Sequence, residues 1–363
     1  MNGTIMRRQF QTFSNRSAQA GLTLIEFMVA ILLGMVIVAA MAVLIGNQSA
    51  ARGEIDRAGR LIENGRYSIT TMVEDLQMAG YWGEIYINPD APTGMFAADF
   101  TSLPNPCSVT VNSPEDAASK GLKEGTFLYI QGYDGSTYTA GDLSCVTNWK
   151  AGTDILVVRR ADPNAVALAS LVNGQMYLQT GLTSATGTTF AYSLAPGASA
   201  DNATTFNLVT QGGVLAQIRP LIVHIYYVAT CDVCTGGSAD TIPTLKRVDL
   251  GVASGVPQIS TVAIAEGIEN LQIDYGYDAD GDGAPDADYN AANTGFATPD
   301  TWKNVMSAKI YLLARDIDKS IGFVDGKAYS MGTASVAAPN DAYKRHLFMQ
   351  SVRIANPSLR RSS

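Results

Sequence analysis

The sequence predicts an α+β fold. One long N-terminal helix, transmembrane in its first half and amphipathic in its second, packs on a mainly antiparallel β-sheet domain. Three observations predict it. Leu22–Ile45 is a 24-residue run, apolar apart from Thr23 and Glu26. Helical spacing of apolar residues continues beyond it to about Gly80. After Pro89, short β-rich runs alternate with turns of Gly, Asn, Asp, Ser and Pro.

The first element, Leu22–Ile45, has the length a helix needs to cross ~30 Å of hydrocarbon. Lipid offers the backbone no hydrogen bonds, so such a span must be helical. A cleaved secretory signal would have a shorter apolar core and a small-residue site after it, and Gln48-Ser49-Ala50 fits that poorly. Arg7, Arg8 and Arg16 precede the run with no acid among them, which predicts N-in, C-out insertion as a single-pass protein.

Glu26 is the informative residue, because a carboxylate inside an apolar span costs several kcal/mol and points to a function. A plain anchor does not explain it. If the chain is cut after Gly21, Leu22 gains a free amine, which on this or a neighbouring subunit is the natural counter-ion for Glu26. Gly21-Leu22-Thr23-Leu24-Ile25-Glu26 resembles the type IV prepilin cleavage and methylation motif. The resemblance implies that a prepilin peptidase removes a leader, residues 1–21, and N-methylates Leu22. It also implies that Glu26 acts in assembly. The leader is long for the commonest pilins.

The helix continues through residues 22–80. Ile55, Ala58, Ile62, Gly65, Ile69, Met72, Leu76 and Ala79 recur at three- and four-residue steps, with charged residues on the other faces. No Pro interrupts it, and its length is roughly 85–90 Å at 1.5 Å per residue. Gly46, Gly53, Gly59 and Gly65 each weaken it by about 1 kcal/mol relative to Ala. Gly80-Tyr81-Trp82-Gly83 ends it. The stretch from Arg57 to Gly83, with ENGR and then DLQMAGYWG, resembles the post-helix signature of PilW-type minor pilins.

Residues 81–363 read as a β-rich periplasmic domain with insertions. Expected strands are Thr126–Gln131, Asp154–Arg160, Met176–Thr180, Thr205–Val209, Leu215–Val228, Thr244–Leu250, Ile268–Tyr277, Val305–Ala314 and Leu347–Ile354. No long helical pattern separates them, so antiparallel meanders are expected rather than βαβ units. Leu182–Thr204, rich in Thr, Ser, Gly and Ala, reads as exposed loops. DILVVRR at Asp154–Arg160, KRVDL at Lys246–Leu250, Ile268–Tyr277 with its acidic loop, and YKRHLFMQSVRIANP at Tyr343–Pro357 resemble the PilW and pseudopilin J class.

The chain has 363 residues and a net charge of −8. Without the three leader arginines the mature chain carries −8 − 3 = −11, which argues against nucleic acid as a partner. From Val248 to Trp302 there are ten acids and no Lys or Arg. Asp278, Asp280, Asp282, Ala284, Asp286 and Asp288 reproduce the first half of an EF-hand loop. Carboxylates stand at positions 1, 3, 5 and 9, Gly283 is at the turn, and a backbone carbonyl is at position 7. Oxygen donors at this spacing wrap one Ca²⁺. Tyr289 stands where the bidentate Glu belongs. The competing reading is a solvated acidic turn at a hairpin tip.

Four cysteines suit a non-cytoplasmic compartment. Cys107–Cys145 with Cys231–Cys234 is the simplest of three pairings. Cys231-Asp-Val-Cys234 follows a strand pattern and precedes Thr-Gly-Gly. It therefore lacks the helix N-terminus that activates redox CxxC thiols, and zinc would need further ligands. His224 alternates within an apolar strand and reads as a satisfied core or edge histidine. His346 sits in a basic cluster with Lys344 and Arg345. No GxSxG, Walker or HExxH pattern occurs, so no catalytic residue is named and a non-enzyme is expected.

The resemblance implies a PilW-like minor pilin that joins minor and major pilins through its N-terminal helix. It implies passage from the inner membrane to the pilus and cell surface, priming of assembly, a place near the tip and presentation of a tip adhesin. Two rivals are a type II secretion pseudopilin of the J class and a membrane-anchored Ca²⁺-binding adhesin. The second would need neither Gly21 nor Glu26.

Overall fold

The computed structural model describes residues 21, 23–83, 103–111, 122–186, 190–198, 201–286, 289–296 and 298–361. Residues 1–20 of the expected leader and most of the stretch from Ala91 to Leu122 lie outside them. The chain divides into two compact units, Met1–Ile55 and Asp56–Ser363. The division falls inside the long helix α1, Leu24–Met78.

In the second unit α1 buries Ile69, Met72, Leu76 and Ala79 of the expected stripe in the main core; Ile55, Ala58 and Ile62 of that stripe are exposed, and Leu61, outside it, is buried instead. Gly65 lies on this face because Phe348 packs against it; a Cβ there would fall inside the Phe348 ring. Its helix-weakening absence of side chain is what permits that contact. Gly80 stops the helix with φ +73°, a left-handed conformation that glycine adopts without a Cβ penalty. The last carbonyls are not left bare. Asn356, in the C-terminal helix Ala355–Arg361, donates its side-chain amide to Met78 O at 3.2 Å and Ala79 O at 3.1 Å.

The strands follow in chain order: β1 Ile130–Tyr133, β2 Ile155–Ala161, β3 Met176–Leu182, β4 Phe190–Pro196, β5 Ile218–Ala229, β6 Thr244–Ala253, β7 Val256–Glu266, β8 Ile268–Tyr277, β9 Asn290–Ala291, β10 Val305–Arg315, β11 Tyr329–Met331, β12 Ala334–Val336 and β13 Arg345–Arg353. All ladders are antiparallel, as a chain without crossover helices requires. One sheet runs β1-β2-β5-β3-β4, with β6 added on β5 and β7 on β6; a second runs β13-β10-β8-β9; β11 and β12 form a separate pair.

Asp154 joins the two larger sheets. Its carboxylate oxygens accept the Gly135 and Ile273 amides, each at 2.8 Å, and its own amide donates to Leu271 O at 2.9 Å. Burial pushes this carboxyl up to about 7 against the pull of those two amides, and neighbouring Asp134 and Asp274 add to the rise.

Four expectations need correction. Thr126–Gln131 is strand only from Ile130, where β1 begins, because the helical turn Leu122–Gly125 runs into a turn at Thr126 and Phe127. Thr205–Val209 is not a strand: Asn202–Thr205 is a helical turn, Phe206 is buried, and Val209 makes only single bridges to Leu182 and Leu215. Leu182–Thr204 is not wholly loop, because β4 forms a seven-residue ladder with β3 there. Val256–Glu266 carries β7, which the apolar pattern does not signal. It is an edge strand whose residues are mostly exposed, so no single face forces a hydrophobic alternation.

Candidate functional site

The N-terminal segment is built around Thr23 and Glu26. The Glu26 carboxylate accepts the Thr23 amide at 3.0 Å and the Thr23 hydroxyl at 2.9 Å, and the Glu26 amide donates back to the Thr23 hydroxyl at 3.4 Å. This is a capping box, which satisfies amides that the first helical turn leaves without partners. Gly21 is exposed, and Leu22 lies outside the described residues. Behind Glu26 the helix presents apolar side chains all round. From Leu24 to Ile45 the large ones are between 42% (Ile31) and 80% (Leu24) exposed, and an 18-residue window reaches a mean hydropathy of 3.0. A helix apolar on every face needs lipid or other helices around it.

The acidic loop follows β8. Asp278 is fully buried, and its two oxygens accept the Gly281 amide at 2.7 Å and the Gly283 amide at 2.9 Å. Asp286 accepts the Ala279 and Asp280 amides. Asp280, Asp278 and Asp286 each bring an oxygen within 4.8 Å of the others. Asp282 does not join that group; it accepts the Ala284 amide at 2.7 Å. Asp288 lies outside the described residues. Among the described residues, the sequence spacing thus gathers three of the four aspartates expected to bind. Arg353, seventy residues away in β13, reaches Gly283 O at 3.4 Å, a cation the local sequence does not reveal.

Both cysteine pairs are disulfides, with Cα–Cα distances of 5.5 Å for Cys107–Cys145 and 5.2 Å for Cys231–Cys234, and no cysteine is free. The CxxC occupies the turn between β5 and β6, away from any helix N-terminus.

Two buried charge clusters escape sequence reasoning. Asp75 of α1, 5% exposed, meets Arg160 of β2 at 2.8 Å, and His224 and Tyr226 of β5 at 2.6 and 3.0 Å. Burial raises the Asp75 carboxyl, but His224 and Arg160 outweigh it and hold it below the ordinary carboxylate value. His224 is the satisfied histidine expected. Arg345 of β13 gathers Glu269 at 2.5 Å, Asp325 at 3.1 Å and Asp341 at 2.6 Å. This fastens the chain between β10 and β13 to β8.

Residues 225–356 match the family described as Type IV Pilus-assembly protein W, and residues 16–42 match the prokaryotic N-terminal methylation motif. These two matches support a minor pilin of the PilW type. No curated protein matches it. Among solved structures, the Type IV-like pilin TTHA1219 from Thermus thermophilus is similar over 52% of this chain and 90% of its own, at 12% identity. Its TM-score of 0.23 is too low to carry an argument.

The part matched by the PilW family runs from within β5 to the C-terminal helix. It includes the acidic loop and the Arg345 cluster. The methylation motif covers Gly21, Leu22 and Glu26. The methylation motif and the exposed apolar helix fit a membrane-anchored pilin, and the matched family implies contact with other pilus components.

Proposed function

We infer that the minor pilin is cut between Gly21 and Leu22 by prepilin peptidase, methylated on Leu22, and held N-in in the inner membrane with Asp56–Ser363 in the periplasm. It then joins other minor and major pilins to prime assembly, and ends near the pilus tip beside an adhesin. The role is structural rather than enzymatic. The observation that carries this reading is the Gly21–Glu26 register directly ahead of a helix with no buried face. Moving such a helix from lipid into a bundle strips no apolar surface into water, so specificity rests on Glu26. In the uncut chain Glu26 caps its own helix through Thr23. After cleavage the new amine at Leu22 offers a stronger, charged partner.

N-terminal mass analysis of pilus-associated protein should find methyl-Leu22, and an uncut N-terminus in assembled pili would sink the reading. Glu26→Ala should insert normally yet be depleted from sheared pili. Equal recovery of variant and parent would remove Glu26 from the mechanism.

The same reading places one Ca²⁺ in the acidic loop, with Asp278, Asp280 and Asp286 as its carboxylate donors. These oxygens already accept loop amides, and the bidentate Glu is missing, so the site is weak, roughly 10⁻⁴–10⁻³ M, as in extracellular modules. Millimolar Ca²⁺ should raise the melting temperature of the parent and leave Asp280→Ala unmoved. Calorimetry without heat would leave a solvated turn.

A further inference from the structure

Between β10 and β11 the chain makes a loop that the pilin reading does not use. Its tip is Ile321-Gly322-Phe323-Val324. Ile321 is 103% exposed and Val324 67%, while Phe323 is half-buried. Three apolar residues in four at an exposed tip call for a partner. The tip is also held out by its base. The Ser320 amide donates to Ala342 O at 2.8 Å, the Asp325 amide to Asp341 O at 2.7 Å, and the Asp325 carboxylate accepts Arg345 and the Tyr329 hydroxyl.

Around this tip the charge reverses sign. Lys319 and Lys327 flank it in sequence and are exposed, their ammoniums 5.8 Å from the Tyr343 ring and 5.1 Å from the Tyr329 ring, and the Lys344 ammonium lies 5.9 Å from the Phe323 ring. The nearby acids are engaged: Asp325 is buried against Arg345, and Asp318 faces Arg60 at 3.9 Å. A protein of net charge −8 thus carries a local cationic collar around an apolar tip. Apolar side chains that enter the acyl boundary while lysines meet headgroups are the two signals a peripheral membrane contact needs.

The tether supports the same partner. Asp318 pairs with Arg60, and Ile317 lines a crevice with Arg57. The apolar run ends at Ile45, so Arg57 follows it by only twelve residues. That chain spans roughly 18 Å as helix and no more than about 42 Å extended. The loop therefore works at a high effective concentration near the bilayer, where even a weak contact is populated.

We propose that Ile321–Val324 dips into the surface of an anionic bilayer, with Lys319, Lys327 and Lys344 on its headgroups, so that the globular unit rests on the membrane before assembly. The proposal depends on the membrane anchor, and the test separates the two. The full chain carrying Ile321→Trp is reconstituted in vesicles of brominated phosphatidylcholine, with or without phosphatidylglycerol. Flotation reports the anchor; quenching of the new tryptophan reports the loop. Trp82 and Trp302 are buried and Trp149 is half-buried, so the parent chain without the new tryptophan supplies the quenching baseline.

The expected result is flotation with both lipids but quenching only with phosphatidylglycerol, lost in high salt and in the added pair Lys319→Glu and Lys327→Glu. Failure to float would overturn the anchor. Flotation without quenching would overturn the loop contact. Equal quenching in both lipids would overturn the role of the lysines. A blue shift that needs other pilus subunits, without lipid quenching, would assign the tip to a protein interface and overturn the proposal.

Discussion

The two halves of α1 share one secondary structure and little else. From Leu24 to Ile45 apolar residues point everywhere and stay exposed. In the second half Leu61, Ile69, Met72, Leu76 and Ala79 form one stripe that is buried, and Asp75 beside that stripe carries a charge network to β2 and β5. The difference teaches that apolar content alone does not make a core. The first half cannot satisfy itself against this chain and so needs lipid or other helices. The second is docked, and its few polar contacts are specific.

The comparison breaks most severely at Asp75. Asp75→Ala strands Arg160 and His224 beside a lost partner and should cost about 3–5 kcal/mol, the range for breaking a buried pair. Chemical denaturation of the detergent-solubilised chain measures it, and a loss below ~1 kcal/mol would reduce the network to decoration. Leu76→Ala, at a fully buried position, should cost about 2–5 kcal/mol by the same measurement.

Titration sharpens the contrast between two buried acids. Asp75 has a folded-state value below its unfolded one, so its stabilisation is present above about pH 4 and is lost as pH falls through the folded value. Asp154 is opposite. With a folded value of about 7, its contribution is full below about pH 4 and is lost as pH rises through 7, at no more than about 1.4 kcal/mol per pH unit. Stability measured from pH 5 to 7.5 should decline, and Asp154→Asn should flatten that slope. An unchanged slope in the variant would remove Asp154 as its source.

The smallest effect belongs to the first half. Leu32 is 63% exposed, so Leu32→Ala should leave folding stability within about 0.5 kcal/mol. A larger loss in the same denaturation experiment would mean that the first half also packs on its own chain.

Local rules made much of this legible. The apolar run, the amphipathic stripe and the Gly80 stop are periodicity and backbone geometry. β8 begins and ends where its strand pattern does, at Ile268 and Tyr277, because it is buried along most of its length. β7 was hidden because an exposed edge strand has no face to pattern. β4 was hidden because Thr-, Ser- and Gly-rich flanks surround Phe190–Pro196, where Phe, Tyr and Leu alternate with Ala, Ser and Ala along the ladder with β3. In the acidic loop the spacing gathers Asp278, Asp280 and Asp286, whereas Asp282 turns to its own backbone, a choice that depends on loop conformation.

By itself the sequence determined the anchor, the Gly21–Glu26 register, the helix and the antiparallel sheet class, because each rests on neighbours within a few residues. Only the tertiary structure decided that Asp75 meets His224 across 149 residues of chain, that Arg345 gathers Glu269, and that lysines from separate segments ring Ile321–Val324. Those contacts depend on long-range packing, which brings groups together with no local pattern to announce them.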